Sequence, residues 1–162
     1  MWPKIKFISV FACFLFIAAF VLDGLSTQPN NANASDIELK AFWSPPTIAA
    51  SRVGIAYGTI HNMGEDIVTL TAVKSDKAES VELHTTMMEN DIMQMRKVDT
   101  LDIQPNGHAT LAPGGLHIML IGLKDALEAG NSFPLTLEFA DRPELTVNVQ
   151  VKKPEAQIAP AH

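Results

Sequence analysis

Four side chains in the middle of the chain carry donor atoms that suit a soft metal ion. They are His84, Met95, His117 and Met119, which fall within 36 residues of a sequence that holds five histidines and seven methionines. Imidazole combined with thioether, in the absence of a thiolate, selects Cu(I). Zinc prefers cysteine, histidine or carboxylate ligands, and no carboxylate stands at matching spacing. These residues therefore predict a Cu(I) site rather than a zinc site.

Strands would bring these four residues to one point. His117 and Met119 are two residues apart, so in a strand they face the same way, because successive side chains alternate between the two faces. His84 and Met95 stand on the two arms of a hairpin predicted over residues 80–98. The hairpin and the strand of His117 can therefore present two imidazoles and two thioethers together.

The pairing register of this hairpin has two solutions. Pairing around residues 89–90 sets His84 directly opposite Met95, with their Cβ atoms about 5 Å apart. Pairing around residues 90–91 sets His84 opposite Lys97 instead, and Met95 is then one diagonal step away. Both registers leave His84 and Met95 on the same face, because they differ by an even number of residues.

Short alternating apolar runs separated by turn residues predict strands along most of the chain. Nine strands are predicted, at residues 37–43, 52–61, 67–74, 80–86, 92–98, 108–111, 117–123, 133–140 and 144–152. Only residues 124–130 have a helical pattern, which is one or two turns long. About nine strands at this spacing are typical of an antiparallel sandwich or barrel. The sequence therefore predicts one all-β domain.

The N-terminal segment predicts export. Lys4 and Lys6 precede an uncharged apolar run over residues 7–22, and a polar stretch follows that ends in a small-x-small site at residues 32–34. This order is that of a secretory signal peptide cleaved after Ala34. An uncleaved anchor is the alternative, although the run is short for a membrane span. We expect a signal peptide at 1–34, one copper-binding domain at 35–152 and a flexible tail at 153–162.

Composition excludes several classes of function. The formal net charge of −6 disfavours a nucleic-acid partner, which needs a basic face. Cys13 is the only cysteine and lies inside the predicted signal segment, so the domain has neither a disulfide nor the thiolate of a blue-copper centre. No Ser/His/Asp set, paired carboxylates or glycine-rich phosphate loop is apparent, so the chain is not predicted to be an enzyme.

The spacing of the four candidate ligands, H-x10-M-x21-H-x-M, resembles the motif of the PCuAC-type periplasmic copper chaperones. The surrounding segments are also similar to that family: VELHTT around His84, MQMRKV around Met95 and LAPGGLHIMLIGL around His117. The segment AYGTIHNMGEDIVTLTAV is similar to the early strand-turn-strand of the family. The resemblance covers most of residues 36–150.

This resemblance implies a cupredoxin-like antiparallel β-sandwich with Greek-key connections. It also implies a monomeric, non-enzymatic periplasmic protein that binds Cu(I) through His84, Met95, His117 and Met119. Members of the family deliver copper to the CuA centre of cytochrome c oxidase, often alongside a copper protein of the Sco type. Two departures are visible: Thr85 stands where some members have a methionine, and the long Met/His-rich tail of other members is absent. His162 alone is a weak candidate for the auxiliary Cu(II) site of that tail.

Other histidines and methionines have simpler interpretations. His61 and Met63 repeat the His-x-Met spacing but are interpreted as solvated residues where a strand enters a turn. His108 is interpreted as an exposed strand start. Met87 and Met88 are expected to pack at the hairpin tip or to form a hydrophobic rim, rather than to bind the ion.

Two alternative functions are also compatible with the sequence. One keeps the copper site but uses it for sequestration and copper tolerance rather than for delivery. The other is an exported β-sandwich that binds protein or sugar and uses methionine and histidine only for packing. This second alternative requires His84 and His117 to be buried and far apart.

Overall fold

The computed structural model describes residues 36–89 and 92–154, and this part of the chain consists of strands joined by turns. The strands are β1 Ile37–Ser44, β2 Val53–Asn62, β3 Val68–Lys74, β4 Ala78–Glu89, β5 Ile92–Lys97, β6 Leu101–Ile103, β7 His108–Leu111, β8 Leu116–Leu123, β9 Ser132–Phe139 and β10 Leu145–Val151. No helix within the described ranges is long and apolar enough to cross a membrane. The predicted signal peptide at 1–34, with Cys13, and most of the predicted tail, with His162, lie outside the described residues.

The strands are hydrogen-bonded in the order β5-β4-β8-β2-β1-β10-β9-β3-β6, and β7 also pairs with β2. All the described pairs are antiparallel except β1 with β10, which is parallel. Residues 53–56 of β2 pair with β8, whereas residues 58–61 pair with β7. Strand β2 therefore belongs to two sheets: a site sheet made of β5, β4, β8 and the first half of β2, and a second sheet made of the remaining strands.

Inward-facing residues of both sheets build one hydrophobic core. Ile118 and Leu120 of β8 are fully buried, as are Leu135 and Leu137 of β9, and all four belong to the same cluster. Buried and partly exposed residues alternate strictly along the rest of β2 after Val53, as expected for a strand with one face on a core. The all-β fold predicted from the sequence is confirmed, but the strands are not all antiparallel as predicted, because β1 pairs with β10 in parallel.

A close approach between β1 and β2 shapes the second sheet. The pairing of these strands shifts register between Lys40 and Trp43, and Ala41 within this bulge has a φ of 52°. Within this bulge, the buried ring of Phe42 lies against Gly58 of β2. A Cβ atom at residue 58 would come within 2.7 Å of ring atoms, so only glycine fits there without displacing the ring.

Two predictions of secondary structure were wrong. Residues 124–130 form turns instead of a helix, because Leu127 is buried and its backbone binds Thr47: the N–H donates to Thr47 Oγ1 and the C=O accepts from the Thr47 N–H, both at 2.9 Å. Strand β6 was not predicted, since three residues are too few to show an alternating pattern. It pairs with β3 at the edge of the second sheet.

Candidate metal centre

The outer face of the site sheet brings the predicted ligands together. On β4 and β8, His84 is directly opposite His117, and Glu82 is opposite Met119. Leu83 and Ile118, which pair between these positions, point into the core. The two histidines and Met119 therefore share the face that is turned away from the core.

Strand β5 carries the fourth predicted ligand, Met95, which is not directly opposite either histidine. His84 is opposite Lys97 and Thr86 is opposite Met95, which is the register centred on residues 90–91. Met95 consequently lies on the same face as His84, one diagonal step away, within the reach of a long side chain. All four predicted ligands thus lie on one face of three adjacent strands.

The imidazole of His117 has one nitrogen bonded and the other without a partner. The residue is only 4% exposed, and its Nδ1 lies 2.9 Å from the carbonyl oxygen of Gly115. A carbonyl can only accept, so Nδ1 carries the hydrogen and Nε2 keeps its lone pair in the neutral ring. Nε2 is buried and has no hydrogen-bond partner. A buried acceptor left unsatisfied costs free energy, and a metal ion would satisfy it.

His84 has the complementary arrangement. Its Nε2 lies 2.9 Å from Oε2 of Glu82, and its Nδ1 is buried without a partner. Because a carboxylate accepts, Nε2 carries the hydrogen and Nδ1 has the free lone pair. The ring centroids of His84 and His117 are 6.0 Å apart with an interplanar angle of 38°. The non-metal alternative required these histidines to be far apart, and this geometry contradicts it.

Glu82 also lies on this face, opposite Met119, and it was not among the site residues predicted from the sequence. Its second carboxylate oxygen accepts a hydrogen bond from Lys97 Nζ at 3.1 Å, so one carboxylate joins a lysine to an imidazole. The hydrogen bond from His84, and then that from Lys97, lowers the pKa of Glu82 below its ordinary value. Glu82 is therefore a carboxylate at neutral pH and holds His84 in one tautomer, as the outer-shell partners of metal-binding histidines do. Its position two residues before His84, on the same face, was the available signal.

The thioethers differ in their exposure. Met119 is partly buried, whereas Met95 is 59% exposed. Met88 and Met93 are directly opposite each other farther along the same face and are 67% and 64% exposed. Met87 is exposed as well, so the methionines at the hairpin tip form a rim and do not pack into the core.

The donor set determines which ion would fit this face. Among residues 36–89 and 92–154, no three His, Cys, Asp or Glu side chains are grouped so that they could hold a metal ion. The available donors at the site are two imidazole nitrogens and neighbouring thioethers, and this combination is the soft, neutral set that suits Cu(I).

A second histidine pair lies in the second sheet. His61 of β2 is directly opposite His108 of β7, and their ring centroids are 5.5 Å apart. His61 lies in a strand, in agreement with the strand predicted over residues 52–61, but its contact with His108 was not predicted. The pairing of two strands distant in sequence made this contact, and no local pattern could have indicated it.

Comparison with known proteins shows the family of the chain. A family model described as "Putative lipoprotein LpqE-like" matches residues 37–151. "Putative lipoprotein Lxx21020" of Leifsonia xyli subsp. xyli (strain CTCB07) is 34% identical over 128 residues, which cover 78% of this chain and 76% of that protein.

Solved structures of PCuAC-type proteins are also similar to this chain. The apo PCuAC domain from PmoF1 is 25% identical with a TM-score of 0.62, over 74% of this chain and 95% of that one. The Cu(I) form of DR1885 from Deinococcus radiodurans is 30% identical with a TM-score of 0.57, over 76% of this chain and 84% of that one. The resemblance to PCuAC-type proteins inferred from the sequence is confirmed.

Proposed function

The chain belongs to the LpqE-like family, and from this premise we propose that it is a periplasmic Cu(I) chaperone that hands its ion to a partner protein. The ligands are His84, Met95, His117 and Met119. The observation that carries the proposal is the pair of buried imidazole nitrogens without hydrogen-bond partners, on facing strands, beside two thioethers. The Cu(I) form of a relative 30% identical to this chain supports the choice of ion.

Neutral donors suit a carrier. Thioethers need not lose a proton to bind, and each imidazole needs only to be neutral, so binding weakens mainly in acid. The two histidines are already held in the tautomers that leave one lone pair free, by Gly115 and Glu82 respectively. Little reorganisation is therefore required when the ion arrives.

The gradient of exposure suggests how the ion is transferred. His117 is buried and Met95 is 59% exposed, so the ion is open to a partner from the side of β5. We propose that a donor atom of the partner replaces Met95 first, and that the histidines release the ion last. Each step exchanges one ligand from this chain for one from the partner, so the ion is not released into solution.

The proposed recipient is the CuA centre of cytochrome c oxidase, reached directly or through a Sco-type copper protein. The role requires no catalysis by this chain. Export to the periplasm through the signal segment at 1–34 is part of the same proposal, and the description of the family as lipoproteins supports export.

An anaerobic titration tests the site. The protein competes for Cu(I) with a chromophoric chelator, and the titration is repeated with Zn²⁺. We expect one tight Cu(I) equivalent, no comparable Zn²⁺ binding, and loss of the Cu(I) equivalent in the His117→Ala/Met119→Ala double variant.

A matched control is available in the same chain. His61, in β2, and Met63, just after the end of β2, repeat the His-x-Met spacing away from the site sheet, so the His61→Ala/Met63→Ala double variant should retain full Cu(I) affinity. Equal affinity in both double variants, or equal loss in both, would refute the assignment.

Growth of a deletion strain on limiting and on excess copper separates delivery from sequestration. Delivery predicts loss of oxidase activity when copper is scarce.

A further inference from the structure

The histidine pair of the second sheet has the geometry of a chelating site. His61 and His108 are directly opposite on antiparallel strands, where Cβ atoms are about 5 Å apart. Their rings lie 5.5 Å apart, centroid to centroid, with an interplanar angle of 30°. His108 is exposed and His61 is half-buried. Neither imidazole makes a hydrogen bond or an ion pair with any other described residue, so both rings are free to turn a nitrogen toward a common ion.

The backbone that carries this pair is held on its inner side by Asn62. This residue is 1% exposed, and its Nδ2 lies within 3.1 Å of the carbonyl oxygens of Asp66, Ile103 and Gln104. Its backbone N–H donates to the carbonyl oxygen of Gly107, next to His108, at 2.9 Å. The two strands are thereby fixed in register beside the histidines, so binding an ion orders only two side chains.

The neighbouring charged side chains do not add a third donor to the two imidazoles. Glu38 of β1 is in the same cross-strand row, opposite His61, but its carboxylate bonds to Lys40 Nζ at 2.8 Å. No three metal-ligating His, Cys, Asp or Glu side chains come together in the described ranges. Two imidazoles with water in the other positions suit a divalent ion of intermediate softness, and Cu²⁺ has the highest affinity of the first-row series for such donors.

We infer that His61 and His108 form a second metal site that binds Cu(II). The site is separate from the Cu(I) centre: Ile55 of β2 pairs with Met119 and precedes His61 by six residues, or about 20 Å along an extended strand. No ion can be shared between ligands so far apart. The inference stands on the histidine pair alone and does not depend on the proposed Cu(I) function.

The test is an aerobic Cu(II) titration of the full chain, followed by electron paramagnetic resonance. We expect one Cu(II) equivalent whose spectrum shows nitrogen ligation. Replacing either partner, as His61→Ala or His108→Ala, should remove this equivalent, because a single exposed imidazole cannot chelate. Thermal melting of each variant in the absence of metal checks that the fold is unchanged, and His108→Ala is the safer variant because His108 is exposed.

Two matched variants separate this site from the other histidines. The His84→Ala/His117→Ala double variant removes the imidazoles of the Cu(I) centre, and His162→Ala removes the tail candidate. Both should keep the Cu(II) equivalent. The inference is overturned if His61→Ala and His108→Ala retain the wild-type Cu(II) signal, or if that signal disappears in the double variant or in His162→Ala. Failure of the Cu(I) titration would leave this result unaffected, so the two proposals fail independently.

Discussion

Replacement of Glu82 tests how the copper centre is prepared before the ion binds. The carboxylate accepts a hydrogen bond from His84 Nε2 at 2.9 Å and is itself not one of the four proposed ligands. Glu82→Gln keeps the size of the side chain and one acceptor oxygen but removes the charge. Glu82→Ala removes the acceptor altogether, so that Nε2 and Nδ1 of His84 compete for the hydrogen.

The size of the effect follows from the contact. Loss of an outer-shell partner of a metal-binding histidine costs about 10- to 100-fold in metal affinity, or about 1.4 to 2.7 kcal/mol. The Glu82 side chain is 24% exposed, so water screens part of the interaction. We therefore expect Glu82→Gln to weaken Cu(I) binding by about tenfold, and Glu82→Ala to approach the upper end of the range.

The assay is the anaerobic chelator competition, with thermal melting of the apoprotein alongside. Glu89→Gln is the matched control, because Glu89 is also on β4 and binds Arg96 of β5 at 2.6 Å without touching an imidazole. Glu89→Gln should leave Cu(I) affinity within about twofold of wild type, as expected for an exposed ion pair. Wild-type affinity in Glu82→Ala, or equal losses in Glu82→Gln and Glu89→Gln, would show that the His84 tautomer does not limit binding.

Three further outcomes are expected. Met95→Leu should weaken Cu(I) binding less than His117→Ala in the chelator competition, because Met95 is 59% exposed and His117 is 4% exposed; the reverse order would contradict the proposed ligand gradient. Dilute peroxide should convert Met95 to its sulfoxide in the apoprotein more readily than in the Cu(I)-loaded protein, with loss of affinity, as followed by peptide mass spectrometry; identical oxidation in the two forms would argue against sulfur ligation. Gly58→Ala should destabilise the fold by about 1–3 kcal/mol in urea unfolding, through overpacking against Phe42, whereas Gly115→Ala meets nothing closer than 3.8 Å and should be nearly neutral.

Much of the fold could be predicted because side-chain alternation is a local property of a strand. The predicted strand at 108–111 has the same bounds as β7, and the other eight predicted strands differ from the observed ones by at most three residues at an end. The local sequence pattern gave a wrong prediction where contacts with residues distant in sequence determine the conformation. Residues 124–130 resemble a helix in isolation, but Leu127 is buried in the core and its backbone pairs with Thr47.

The sequence by itself determined which donor atoms are present and which of them share a face. His117 and Met119 lie on one side of their strand because covalent geometry alternates side chains, and that parity held His84 and Met95 together in either hairpin register. Only the tertiary structure decided that Lys97, and not Met95, is opposite His84, since both registers satisfy the same hydrophobic pattern. It also decided that His84 faces His117, that His61 faces His108, and which nitrogen of each site imidazole is free. The cross-strand contacts join strands that meet only when the sheets assemble, so spacing along the chain does not predict them. The free nitrogens depend on how each ring is oriented toward Gly115 or Glu82, which a spacing of two residues permits but does not fix.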